Sequence, residues 1–316
     1  MCRLILRAER SSFKWPVIYY MVLLMATKEE SVLGGELPQA SPDHGKVEHR
    51  NQVFEERVAT RIWGEVPCQD NPYIATKVLC HGYDLLELMN KRSFVDVFYL
   101  LFRGELPGAE QAQLLEQLMI GLINPGPRHP AVRAAMNAGV GKTNPVHILP
   151  IALGIFGGVQ RGAGAIEQTM RYLRKSVRTS PADAAAELIK AGETHLSQDN
   201  LTALILPSAP GFGRVYGSPD TLMATVASQL LVLPASGPCL HWAHDWLDIL
   251  ADEGIGWLSV GLAAAVFCDL GFQPRYGSVL FQLLAAPGLA AHGLELANKP
   301  ITAMPFVKDE NYVIEP

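Results

Sequence analysis

Val260-Gly261-Leu262-Ala263-Ala264-Ala265-Val266-Phe267 and Leu280-Phe281-Gln282-Leu283-Leu284-Ala285-Ala286-Pro287-Gly288-Leu289 decide the fold class. Both runs belong to helical stretches, Leu258 to Leu270 and Gly277 to Glu295, that are apolar nearly all round. A helix without a polar face is buried on every side, by its own domain or by a partner subunit. Working outward, the same helical spacing recurs over Tyr83 to Met89, Ala109 to Ile123, Pro130 to Ala138, Pro145 to Phe156, Ala163 to Lys175, Thr221 to Leu233 and Leu240 to Asp252. Ser93 is an N-cap for Phe94 to Arg103, and Ser180-Pro181 opens Ala182 to Ala191 with proline at the first helical position. Leu114, Leu115, Leu118 and Met119 form the buried stripe of their helix. Period-2 runs rich in Val, Ile and Thr are few, so strands are minor. The expectation is an all-α protein with a buried homodimer interface.

The 316 residues are 49% hydrophobic and 18% charged, with a net charge of −5. That composition supports a large core and excludes wholesale disorder. Mild acidity argues against nucleic acid, whose binders carry a strong basic excess. An anionic ligand must instead be held by a local group of arginines and lysines. Cys2, Cys68, Cys80, Cys239 and Cys268 form no CxxC pair, which excludes a zinc ribbon or a thioredoxin-type motif and suits the reduced thiols of a cytoplasmic protein. Arg3, Arg7, Arg10 and Lys14 precede an apolar run, Trp15 to Ala26, that is too short to span a bilayer. No small-x-small cleavage site follows it. The reading is an over-extended start, with the protein opening near Met25, and no membrane association. Residues 1–56 are expected to form a flexible arm.

Several motifs fail on inspection. Gly139-Val140-Gly141-Lys142-Thr143 imitates a phosphate-binding loop, but Met136 stands where the first glycine belongs and the preceding segment reads as helix. Gly162-Ala163-Gly164 has Glu167 in place of the third glycine of a dinucleotide fingerprint. His241 and His244 share a helix face, yet no third metal ligand can be assigned. Ser278 lacks a nucleophile-elbow context. His292, on an apolar helix, reads as a satisfied core or interface histidine.

Three stretches taken together resemble one family. His81-Gly82-Tyr83-Asp84-Leu85-Leu86-Glu87-Leu88, Ser93-Phe94-Val95-Asp96-Val97 and Leu100 to Pro107 resemble the early helices of citrate synthases and the related citryl-CoA lyases. Asp269-Leu270-Gly271-Phe272 through Pro287-Gly288-Leu289-Ala290-Ala291-His292 resembles the late helices. Pro210-Gly211-Phe212-Gly213-Arg214-Val215-Tyr216 resembles the glycine-rich acyl-CoA loop. Order and spacing agree over roughly residues 60 to 295. The resemblance implies a large domain from 57–175 and 258–316, a small domain from 176–257, an interdomain active-site cleft and an intertwined homodimer wrapped by the tail.

The family's chemistry needs a carboxylate base, two histidines and carboxylate-binding arginines. Each matching position departs from that pattern. Gln160-Arg161 stands where the first histidine belongs, and Gly213 runs straight into Arg214, omitting the second. Counting back from Gly271, the base position is Val260. Ala285 replaces a substrate arginine. Losing a general base alone typically removes about 10²–10⁴-fold in rate. The chain is therefore expected to lack ordinary citrate synthase activity and to bind a CoA thioester or a carboxylate, with no permanently bound cofactor and no metal. The alternative is an active acyltransferase or citryl-CoA lyase using other residues; a third reading is a purely structural dimer. The cofactor-binding candidates are Gly211, Phe212, Gly213, Arg214 and Tyr216. Arg161, Arg128 and His129 are the substrate-binding candidates, the last two because cations at a helix start favour an anion. Arg161 and Arg214 read equally as salt-bridge residues, and a plain rigid loop is the favoured reading of residues 124–130.

Overall fold

The described part of the chain begins as an antiparallel three-stranded sheet, β1 (Trp63–Pro67), β2 (Ala75–Cys80) and β3 (Tyr83–Asp84), in that spatial order. The computed structural model describes residues 58–196, the last five of them as backbone alone, and 209–315. The expected arm, 1–56, lies outside the described residues, as does 197–208 of the expected small domain. His81 and Gly82 turn β2 into β3 with φ of 46° and 86°, the left-handed pair that a two-residue hairpin prefers. Tyr83 consequently sits on a strand, and the helix expected from Tyr83 starts two residues later. Asp84 opens it as α1 (Leu85–Lys91), its carboxylate accepting from the N–H groups of Leu86 at 2.9 Å and Glu87 at 3.1 Å.

The remaining elements follow the sequence reading closely. Ser93 caps α2 (Phe94–Arg103) through a reciprocal pair: Asp96 N–H donates to Ser93 Oγ at 3.1 Å, and Ser93 N–H donates to the Asp96 carboxylate at 3.0 Å. Then come α3 (Ala109–Gly121), α4 (Pro130–Val140), α5 (Ile148–Phe156), α6 (Ile166–Ser176) and α7 (Pro181–Leu196). A two-residue strand β4 (Phe212–Gly213) precedes α8 (Thr221–Leu231) and α9 (Pro238–Ile249), and β4 pairs with β5 (Gly256–Trp257). The chain closes with α10 (Ser259–Asp269) and α11 (Pro274–Ala297). The protein is all-α, with 59% helix carried by 11 helices among the described residues.

The two deciding stretches behave differently. In α10 every residue from Val260 to Phe267 is buried. In α11, Leu280, Phe281, Leu284, Ala285 and Leu289 are buried, while Val279, Leu283 and Leu294 remain exposed. One continuous core joins Leu114, Leu115 and Leu118 of α3, Phe156 of α5, Trp246 of α9 and both late helices.

Small residues set how closely α4 and α11 approach. A Cβ on Gly139 would fall on the carbonyl oxygen of Gly293, so the two backbones touch where both residues lack a side chain. Pro287 sits inside α11 without an N–H, and the next N–H, of Gly288, leaves the helix to donate to Ile123 O at 3.1 Å. That bond pins α11 to the segment leading into α4. At the end of α10 three side chains hold three consecutive carbonyls: Tyr99 Oη donates to Leu270 O at 3.1 Å, Arg103 to Gly271 O at 2.5 Å and Arg174 to Phe272 O at 2.7 Å. Lys142, of the rejected phosphate-loop imitation, donates to the carbonyls of Ala297 and Lys299, both at 2.7 Å, and so caps the C-terminus of α11.

Candidate functional site

Residues 124–130 contribute Pro127 and Arg128 to a surface cavity. Asn124 Oδ1 accepts from Gly126 N–H at 2.9 Å, and Asn124 Nδ2 meets His292 Nε2 at 3.1 Å, so the turn is fixed to α11 as well. His292 thus has a partner at the α11 surface, in keeping with its reading as a satisfied histidine. His129 is buried and acts as the N-cap of α4, its Nδ1 accepting from Ala131 N–H at 3.1 Å. An imidazole that accepts at Nδ1 carries its proton on Nε2, and Nε2 donates to Arg161 O at 3.3 Å. The ring lies against Phe156 with centroids 5.3 Å apart. Burial pushes its pKa down. The bond to the Arg161 carbonyl works the other way, and the Arg161 charge adds to the downward shift. Both nitrogens are committed to backbone, so His129 positions Arg161 and has no free lone pair for a ligand.

Arg161 takes the left-handed conformation, φ 60°, a strained choice for a residue with a side chain. Its guanidinium carbon lies 5.4 Å from the centroid of the Tyr216 ring, a cation–π distance. Tyr216 is presented by a tight hairpin. Val215 and Ser218 exchange backbone hydrogen bonds at 2.7 and 3.2 Å, and Tyr216 and Gly217 between them both have positive φ, 52° and 86°. A cavity of about 590 Å³ opens here, lined by Pro127, Arg128, Arg133 and Tyr216. Among the described residues none of Arg128, Arg133 and Arg161 is ion-paired. Unpaired guanidinium groups beside an exposed aromatic ring can take a carboxylate or phosphate bidentately.

The structure therefore brings Arg128, Tyr216, Arg161 and, through the Arg161 carbonyl, His129 to one place. It adds Arg133, on the exposed face of α4, which the sequence reading passed over. The available signal was its spacing, four residues beyond His129 and one helical turn from the helix start. The other candidates lie elsewhere. Arg214 donates from Nε to Gly254 O at 3.1 Å and from Nη2 to Glu253 O at 2.5 Å, fastening the turn between α9 and β5. Gly211, φ 86°, packs against Gly261 and Thr169, and its carbonyl accepts from Leu258 N–H at 3.3 Å. Phe212 is buried against Trp246 and Trp257, with centroids 5.3 and 5.4 Å away, and its N–H is spent on Ala209 O. The Gly211-Phe212-Gly213 turn is thus a close-packed seam. Gln160 is exposed, while Val260 and Ala285 are each 1% exposed, within the core. His241 pairs with Ser236 Oγ at 2.9 Å, and His244 faces Asp248 at 3.7 Å.

The sequence matches no protein-family model and no curated protein. Solved structures are similar over much of the chain. Citryl-CoA lyase from Hydrogenobacter thermophilus superposes with a TM-score of 0.64 at 24% identity, over 82% of this chain and 95% of that one. The chain carries the citrate synthase fold. ATP citrate lyase from Methanothrix soehngenii, solved with citrate and coenzyme A, matches with a TM-score of 0.59 at 18% identity over 94% of this chain, which spans 49% of that enzyme. Citrate synthase from Thermoplasma acidophilum, in a ternary complex with carboxymethyl coenzyme A and oxaloacetate, gives a TM-score of 0.50 at 17% identity over 71% of this chain and 57% of that one.

Proposed function

We propose that this chain is a citrate-synthase-fold protein that binds a carboxylate or CoA-thioester anion without ordinary citrate synthase activity. The observation that carries the reading is the set of guanidinium groups without an ion-pair partner among the described residues: Arg128 and Arg133, which line the cavity with Tyr216, and Arg161, which lies against the Tyr216 ring. A cavity of about 590 Å³ suits a small-molecule ligand. The lining supplies cations and an aromatic ring but no carboxylate, and the position matching the family's base is Val260. Three similar structures carry names of enzymes acting on citrate or citryl-CoA, which supports this ligand class.

The working form is a homodimer. Ile151 and Ile155 on α5 and Val279 and Leu283 on α11 are exposed on two helices that pack against each other. A second copy of the same face would bury them, and exposed apolar patches of this kind mark association surfaces.

Calorimetric titration of the full chain with CoA, acetyl-CoA, oxaloacetate and citrate tests the reading. Micromolar binding of at least one, weakened at least ~10-fold in Arg133→Glu, supports it; no binding of any of the four sinks it. Citryl-CoA cleavage is the second reading, favoured by the coverage of 95% of a citryl-CoA lyase. Release of acetyl-CoA from citryl-CoA by the purified chain would establish cleavage in its place.

A further inference from the structure

The groups that line the cavity share a shape. Pro127 and Tyr216 are rings, and Arg128 and Arg133 end in planar guanidinium groups. A guanidinium plane stacks on an aromatic face as well as pairing with a carboxylate. Arg161 already does the first, with its guanidinium carbon 5.4 Å from the centroid of the Tyr216 ring. The set therefore offers flat surfaces and positive charge together.

Tyr216 takes no part in the core, since it is 74% exposed. Its backbone is nonetheless held in one place, at φ 52° between the paired residues Val215 and Ser218. Arg161, at φ 60°, is held by the bond from His129 to its carbonyl. Four non-glycine residues of the described chain have positive φ, and two of the four are this stacked pair. The other two have visible structural tasks: His81 turns β2 into β3, and Lys142 caps α11. Backbone strain of this kind gathers where a side chain must be kept in position for a ligand. Here it keeps an exposed aromatic ring in position beside three guanidinium groups. A saturated acid such as citrate would use the charges and leave the ring idle. Space is ample, because a cavity of about 150 Å³ already holds benzene and this one measures about 590 Å³.

We infer, resting on the anion-binding reading above, that the ligand of this cavity is an aromatic carboxylate. Its ring stacks on Tyr216, and its carboxylate pairs with Arg128 or Arg133. Tyr216 is then the residue that selects aromatic over saturated acids.

The test is calorimetric titration of the full chain with phthalate and with cis-cyclohexane-1,2-dicarboxylate. Both carry two adjacent carboxylates on a six-membered ring, and they differ in whether that ring is aromatic. Phthalate should bind more tightly by at least about 5-fold, the range of an aromatic stacking contact. Tyr216→Phe should keep that preference. In Tyr216→Asn, a residue that tolerates positive φ, the ratio should fall below about 2-fold as the stacking contact is lost. Equal affinities in the wild-type chain, or a preference that survives Tyr216→Asn, would overturn the inference. Binding of citrate or CoA without binding of either cyclic acid would also overturn it, while leaving the anion-binding reading in place. Failure of every one of these compounds to bind would overturn both.

Discussion

Replacing His129 with alanine should destabilise the fold and also flatten its response to acid. The ring performs three tasks. It caps α4 through Ala131 N–H, donates to the Arg161 carbonyl and packs on Phe156. Loss of an N-cap costs about 1 kcal/mol, an unmade bond to a buried carbonyl about 1 kcal/mol, and an aromatic contact about 0.5–1.5 kcal/mol. The sum, about 3 kcal/mol, corresponds to a Tm lowered by roughly 6–12 °C for a domain of this size. His129→Asn should recover about 1 kcal/mol, because asparagine caps well but is too short to reach Arg161. The folded pKa is lowered by burial, so the fold favours the neutral ring. Its contribution is fully present above the unfolded value of about 6.5 and is lost as pH falls through the lower folded value. Urea unfolding of the wild-type chain between pH 8 and pH 5 should therefore steepen below about 6.5 by up to ~1.4 kcal/mol per pH unit, the slope of one proton. The alanine variant should lack that component. A variant within 1 kcal/mol of wild type, with the same slope in acid, would refute the two-bond role given to His129.

Three further outcomes follow from single contacts. Gly139→Val places a branched side chain on the Gly293 carbonyl and should cost at least about 3 kcal/mol by overpacking, read as loss of soluble protein or of the cooperative thermal transition. Arg133→Glu lies on an exposed helical position, so it should leave Tm within about 1 °C while weakening CoA or citrate binding at least ~10-fold, as expected for losing a charge-assisted pair; equal binding would remove Arg133 from the site. Leu283→Arg with Ile155→Arg should keep the helical circular dichroism and halve the mass in analytical ultracentrifugation. A dimer that persists would move the interface elsewhere.

Local signals in the sequence were read correctly where the residue acts on its own neighbours. Ser93 caps α2, Pro181 opens α7, and the apolar runs of α10 and α11 are helices. The hairpin at His81-Gly82 was missed because its strands are short and largely exposed, leaving no alternation to see. The Gly211-Phe212-Gly213 turn resembles an acyl-CoA loop in sequence and supplies three of the cofactor-binding candidates. Its burial depends on Gly261, fifty residues away, and no local pattern announces that approach. Arg214 and Arg161 were weighed equally as ligand cations and as structural residues. Their guanidinium groups have different partners: two carbonyls for Arg214, the face of Tyr216 for Arg161. Arg133 escaped because an arginine on an exposed helix face has the same pattern whether it meets a ligand or water.

Scaffold and chemistry can be separated in this protein, and Val260 shows how. The resemblance to citrate synthases suggests Val260→Asp as the change that would supply the missing base. Val260 is 1% exposed, one residue before the Gly261 that touches Gly211, in a helix buried from Val260 to Phe267. A carboxylate placed there would lie in the hydrophobic core and be pushed towards its neutral form or out of the core. Val260 is not among the residues lining the cationic cavity, and the buried His129 next to Arg128 has both nitrogens occupied by backbone. Val260→Asp should therefore unfold at lower temperature, by roughly 3 kcal/mol or more for an unpaired buried charge, and should gain no exchange of the acetyl-CoA methyl protons with deuterated water. A folded Val260→Asp protein that does exchange them would mean that position 260 faces bound thioester, and the anion cavity would then be the wrong place to look for the ligand.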